Sequence, residues 1–125
     1  MSDVEYVVGF DQLRMSDVGR VGGKNASLGE MISELAHMDV RVPGGFATTA
    51  AAYRDFLAQN GLEKRIEDAL AGLDIEDVSA LAKTGAQIRQ WIVEQPFPPR
   101  LAQAITQAYQ PMLEAAGADI SVAVR

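Results

Sequence analysis

The sequence predicts a helix-rich α+β fold, and three observations carry that reading. Apolar residues recur at spacings of three and four through most of the chain. Strand-like alternation is confined to short stretches near the start, around residue 40 and at the end. Clusters of glycine and proline punctuate the boundaries between the periodic segments. With 125 residues, 48 % hydrophobic and 22 % charged, the chain has the make-up of one globular domain.

Tyr6-Val7-Val8-Gly9-Phe10 reads as a short strand, followed by a polar stretch through Asp17. Val18 to Asn25 reads as a glycine-dense loop, after which Leu28, Met31, Ile32, Leu35 and Met38 line one face of a helix beginning at Ala26. Asn25 or Ser27 suits the cap, and Glu30 stands three residues after Ser27, as a capping box requires. Val40-Arg41-Val42-Pro43 reads as an edge strand stopped by proline before the Gly44-Gly45 turn. Thr48 or Thr49 caps a helix running to Asn60-Gly61, and a second helix spans Leu62 to about Ala71, with Leu62, Ile66, Ala69 and Leu70 inward.

Asp74 is placed to cap a long helix reaching Glu94, with Ile75, Val78, Leu81, Ala82, Ile88, Trp91 and Ile92 as its apolar stripe. Pro99 suits the start of a final helix with Leu101, Ile105, Ala108, Tyr109 and Met112 on one face. Pro111 is expected to loosen that helix before Gly117 ends it. Residues 120–124, Ile-Ser-Val-Ala-Val, read as a strand covered on both faces. Such a strand needs sheet neighbours, and only two short ones precede it. The expectation is therefore about five helices and a small, incomplete sheet that includes residues 120–124, in a chain truncated at its C-terminal end.

The formal charge of -6 leaves no basic excess to neutralise a nucleic-acid backbone or an anionic membrane surface. A nucleotide needs only one or two placed cations and stays open. With no cysteine, disulfides and thiolate metal sites are excluded. No apolar run approaches the roughly 18–20 residues that span a bilayer, and Met1 to Glu5 lacks the basic-then-apolar pattern of a signal peptide. A cytoplasmic protein is the expectation.

Gly22-Gly23-Lys24-Asn25 is the strongest local chemical signal. Two glycines let backbone approach a bulky anion, a helix start offers unpaired amides and a positive dipole end, and a lysine there reaches phosphate oxygens. It is not a Walker A loop: Gly19 stands one residue too close to Lys24, and Asn25 replaces the hydroxyl residue that would hold magnesium. By itself the element does not separate a phosphate site from a turn with an exposed lysine. Arg125, after the terminal strand, is placed either at a ligand crevice or simply in solvent. His37 has no second histidine or cysteine beside it and suits the cationic end of a helix better than catalysis. The pairs Glu63–Glu67 and Asp74–Asp77 read as solvated first-turn acids, and Tyr53, Phe56, Trp91 and Tyr109 as core aromatics.

Taken together, four segments are similar to phosphoenolpyruvate synthases. They are Val21-Gly22-Gly23-Lys24-Asn25-Ala26-Ser27-Leu28-Gly29-Glu30-Met31, Val42-Pro43-Gly44-Gly45-Phe46-Ala47-Thr48-Thr49, Ala86-Gln87-Ile88-Arg89-Gln90-Trp91-Ile92 and Ala123-Val124-Arg125. Their order and spacing match across almost the whole chain. The resemblance implies the incomplete first subdomain of an ATP-grasp-type nucleotide-binding domain over residues 1–125. It implies that Lys24 and Arg125 match the family's ATP phosphate-binding lysine and arginine, with Gly22, Gly23 and Asn25 shaping the loop.

The family converts pyruvate, ATP and water to phosphoenolpyruvate, AMP and phosphate through a phosphohistidine on another domain, and His37 does not match that motif. The implied cofactor is Mg-ATP, with magnesium ligands beyond this chain; the implied partners are ATP and the remaining domains of the same polypeptide. No catalytic residue or metal ligand is assigned here, and the 125 residues alone are expected to be inactive. A related dikinase or antibiotic phosphotransferase shares the Gly-Gly-Lys and Val-Pro-x-Gly-Phe elements and is the runner-up. A stand-alone helical interaction module is the reading from a different class.

Overall fold

The computed structural model describes residues 5–40, 44–117 and 120–124. In chain order the elements are β1 (Val7–Gly9), α1 (Val18–Val21), α2 (Gly23–Ala36), β2 (Phe46–Thr48), α3 (Ala50–Ala58), α4 (Leu62–Ala71), α5 (Val78–Glu94) and α6 (Pro99–Ala116). Tight 3-10 turns occupy Phe10–Gln12, Met15–Asp17 and Gln59–Gly61. The helix-rich α+β class and the five main helices are as the periodicity predicts. The described residues divide into two compact units, the first built from Met1–Tyr53 with Pro99–Arg125 and the second from Arg54–Pro98.

In the first unit β1 and β2 pair antiparallel, with Val7 opposite Thr48, Val8 opposite Ala47 and Gly9 opposite Phe46. Period-two alternation turns Val8 and Ala47 to the same side, where they are buried with Leu13, Val21 and Ala26, and Phe10 packs against the cluster. The Phe10 amide donates to the Gly45 carbonyl at 3.0 Å and the Thr49 amide to the Tyr6 carbonyl at 2.9 Å, so the pairing continues past both strand ends. Thr49 is buried yet satisfied: its hydroxyl donates to the Glu5 carbonyl at 2.7 Å and accepts from the Ala52 amide at 3.2 Å. It is thereby the N-cap of α3. Helix α6 opens at Pro99 as expected, buries Leu101, and lays the Arg100 guanidinium 5.4 Å from the Tyr6 ring centre. It runs on through Pro111 to Ala116, and Gly117, at φ 83, closes it by donating to the Leu113 carbonyl.

The second unit is a helical hairpin. Asn60 and Gly61 take φ values of 57 and 70, reversing the chain before Leu62, whose side chain is fully buried. Helices α4 and α5 pack together, and Arg65 lies 4.4 Å from the Trp91 ring centre. Gln95 donates to the Phe56 carbonyl at 2.7 Å, while Phe56 and Phe97 meet edge to face at 5.9 Å.

Several expectations are corrected. Residues 120–124 form no strand, and Val124 is 91 % exposed. A strand exists only when another pairs with it, and among the described residues β1 and β2 pair with each other alone. The strand expected over Val40–Pro43 falls largely outside the described residues; Val40 itself is not in a strand, and the observed strand follows the Gly44-Gly45 turn instead. Asp77, not Asp74, caps α5 by accepting from the Ala80 amide at 3.1 Å; Asp74 accepts from Glu76 in the preceding turn. That leaves Ile75 and Val78 about three-quarters exposed, at 77 % and 75 %, instead of inside the stripe. Leu70 is also exposed, because the hairpin buries a narrower face than the apolar spacing allows, and in the first unit Tyr53, expected in the core, is exposed as well.

Candidate phosphate site at the start of helix α2

Val18–Val21, expected as loop, forms the single turn α1, and the next helix starts three residues before Ala26. Gly22 forms the break between the two. Its amide donates to the Val18 carbonyl at 2.8 Å, and its φ of 87 with ψ 164 is a conformation that residues with a Cβ rarely adopt. Asn25 does not cap from outside. Its side-chain amide donates back across the break to the Val21 carbonyl at 2.9 Å, joining the two helical segments.

No side chain caps α2, so the first-turn amides around Gly23 and Lys24 keep the unpaired character of a helix start. A Cβ built on Gly22 or Gly23 would meet no atom within 4 Å, so the space before the helix is open. Lys24 is exposed, and with Gly23, Ser27, Leu28 and Met31 it lines an open depression of about 390 Å³. The uncapped first turn, with its positive dipole end, and the Lys24 side chain therefore stand at the same end of α2, the combination that suits a phosphate group.

The support beneath this helix start was not visible as chemistry in the sequence. The buried face of α2 is made of Ala26 and Gly29, not of the larger Leu28–Met31–Leu35 set, and Met31 is half exposed. Gly29 faces Leu13 so closely that a Cβ there would lie 2.5 Å from the Leu13 Cβ and 2.8 and 2.9 Å from the Leu13 and Phe10 carbonyl oxygens. Glu30 is not the partner of Ser27 in a capping box; its Oε2 accepts from the Met15 amide at 3.0 Å. Beside it, Asp17 accepts from the Arg14 amide at 2.9 Å and pairs with Arg20 at 2.9 Å, and Arg20 also pairs with Glu5 at 2.7 Å. The Arg14 amide first, and the Arg20 guanidinium second, hold the Asp17 carboxyl below the usual aspartate value. The same hydrogen bond to Asp17 raises Arg20 further above its ordinary value.

The structure thus brings Gly22, Gly23, Lys24 and Asn25 together, while Arg125 lies outside the described residues. His37 follows the end of α2 and is exposed, at the helix terminus the sequence assigned it. The one signal for the missed support was Gly29 itself, since a glycine inside a helical pattern marks a close backbone approach.

The chain itself belongs to a known class of nucleotide-binding domain. The chain is a member of the family described as pyruvate phosphate dikinase, AMP/ATP-binding domain, which matches residues 18–125. Among individual proteins it is similar to the phosphoenolpyruvate synthase of Neisseria meningitidis serogroup B, at 64 % identity over 121 residues, covering 96 % of this chain. The phosphoenolpyruvate synthases of Pseudomonas aeruginosa and Escherichia coli K12 are 63 % and 56 % identical, over 98 % and 95 % of it. The chain spans about 15 % of the length of each of these relatives. No helix among the described residues is long and apolar enough to cross a membrane.

Proposed function

We propose that residues 1–125 form the first subdomain of an ATP-grasp-type nucleotide-binding domain in a phosphoenolpyruvate synthase. In this reading the whole polypeptide is a cytoplasmic transferase that serves gluconeogenesis. It converts pyruvate, ATP and water to phosphoenolpyruvate, AMP and phosphate through a phosphohistidine outside this chain. Lys24 and Arg125 contact the ATP phosphates, and Gly22, Gly23 and Asn25 hold the loop in the form that lets them approach. The observation carrying the reading is the glycine-started, uncapped N-terminus of α2 with Lys24 open to solvent at its first turn. Family membership, with the names of the relatives, supports the nucleotide and the reaction.

Magnesium accompanies the nucleotide in this reading. Among the described residues no group of three or more His, Cys, Asp and Glu side chains could hold a metal ion. What this chain's residues do is bind and orient: the helix start and Lys24 meet charge on the phosphates that grows or shifts during phosphoryl transfer. Replacing Lys24 by alanine in the full-length enzyme should lower turnover on the order of 10²-fold, about 2.7 kcal/mol. Wild-type turnover in that variant would remove Lys24 from the site.

A further inference from the structure

Glu30 stands six residues along α2 from Lys24, and it is tied into the segment that delivers the loop. Its Oε2 accepts from the Met15 amide, fifteen residues earlier in the chain. That bond closes residues 15–30 into a ring, and Gly22 to Lys24 lie at the far end of it. Every other link in the ring is stiff. Met15–Asp17 is a 3-10 turn held by the Arg14 amide on Asp17, and α1 is helical with the Gly22 amide bound to Val18. Asn25 joins Val21 to α2, and α2 itself continues unbroken to Glu30. Among the described residues the Glu30 carboxylate supplies a side-chain hydrogen bond that joins the two ends of this ring, and a charge-assisted bond to backbone fixes position more firmly than a neutral one. Packing of Gly29 on Leu13 sets how closely the helix approaches.

We propose that Glu30 is a positioning residue, which holds the start of α2, and with it the Lys24 ammonium and the first-turn amides, in register for an incoming phosphate chain. The proposal rests on the reading of that helix start as a phosphate site. Loss of the bond leaves all the ligating groups present but frees the entry loop to move relative to the helix, so affinity falls without removal of any contact group.

The test is a titration of the ¹⁵N-labelled 125-residue chain with inorganic tripolyphosphate, following the amide signals of Gly23, Lys24 and Asn25. In the wild-type chain these signals shift on titration, and Lys24→Ala abolishes the response. Glu30→Ala moves the free-state signals of Met15 and Gly23 to Asn25, leaves those of Val8 and Ala47 in the sheet in place, and weakens binding at least about threefold. Glu30→Gln, which keeps an acceptor oxygen at the same reach but makes the bond neutral, binds more tightly than Glu30→Ala and less tightly than the wild-type chain. If Glu30→Ala fails to fold, Glu30→Asp, with its oxygen drawn back by one methylene, shows the same weakening. Undiminished affinity in a folded Glu30→Ala or Glu30→Asp chain, with Lys24→Ala still unresponsive to tripolyphosphate, overturns the positioning role and leaves the phosphate site standing. Absence of any shift at Gly23 to Asn25 in the wild-type chain overturns the phosphate site, and the positioning role with it.

Discussion

Replacing Gly29 by alanine adds one methyl group directly against Leu13 and Phe10, and the structure sets the sign of the result. The new carbon would lie 2.5 Å from the Leu13 Cβ, 2.8 Å from the Leu13 carbonyl oxygen and 2.9 Å from the Phe10 carbonyl oxygen. Two of those three atoms are backbone, so no rotamer change relieves them, and either α2 or the Phe10–Leu13 turn must shift. Overpacking of this kind costs about 1–3 kcal/mol, and rigid neighbours place it at the upper end. Alanine returns about 1 kcal/mol through its better helix propensity. The net expectation is destabilisation by about 2 kcal/mol. With a denaturant slope of about 2 kcal/mol per molar, that lowers the urea midpoint by roughly 1 M. Gly19 supplies the control, because a Cβ there meets nothing within 4 Å and its backbone is helical. Gly19→Ala should leave stability unchanged or raise it by up to about 1 kcal/mol. Urea melts of both variants decide the matter: a Gly29→Ala chain as stable as the Gly19→Ala chain would refute the packing argument.

Three further outcomes are expected. Because the Asp17 carboxyl titrates below its ordinary value of 3.8 in the folded chain, its contribution to stability is present above that value and is lost as pH falls through the lower folded value. The stability gap between wild type and Asp17→Asn, measured by chemical denaturation across that range, should close on acidification; a gap independent of pH would remove the Arg14 and Arg20 contacts as its source. Calorimetry of the 125-residue chain with Mg-ATP should give a dissociation constant no tighter than about 1 mM, near -4 kcal/mol, since Lys24 is exposed and water competes for each contact. Mass spectrometry after incubation should show His37 unphosphorylated, and micromolar binding would mean that these residues hold a complete nucleotide site.

What the sequence disclosed, and what it did not, divides along the range of the forces involved. Helices α4 and α6 begin where local chemistry places them, after the left-handed Asn60-Gly61 pair and at Pro99. A cap at Thr48 or Thr49 was legible too, since it is set by a side chain three residues from its partner, and the fold selects Thr49. The terminal strand failed for the opposite reason: apolar residues 120–124 record a preference that only a distant strand can satisfy. Helix α5 shows an intermediate case, where two aspartates three residues apart each suit a cap and only the fold selects Asp77. The stripe of larger apolar residues on α2 pointed to the wrong buried face, because close approach to Leu13 required the small residues Ala26 and Gly29 instead.

The same division runs through the candidate site. Gly22, Gly23, Lys24 and Asn25 are contiguous, and their chemistry could be read from four letters, although Asn25 turned out to brace Val21 and not to cap. Their placement depends on Leu13, Met15, Gly29 and Glu30, which are scattered over the flanking chain and carry no motif that names the role. Glu30 makes the point sharply: its spacing from Ser27 fits a capping box, a local use, while the structure spends its carboxylate on an amide fifteen residues away. A helix already started by Gly22 and bridged by Asn25 gains little from a second local cap, whereas the free Met15 amide on the 3-10 turn has a carboxylate within reach and no helical partner. The longer-range bond wins because it satisfies a donor that would otherwise depend on solvent, and it ties the loop that carries Lys24 to the body of its helix.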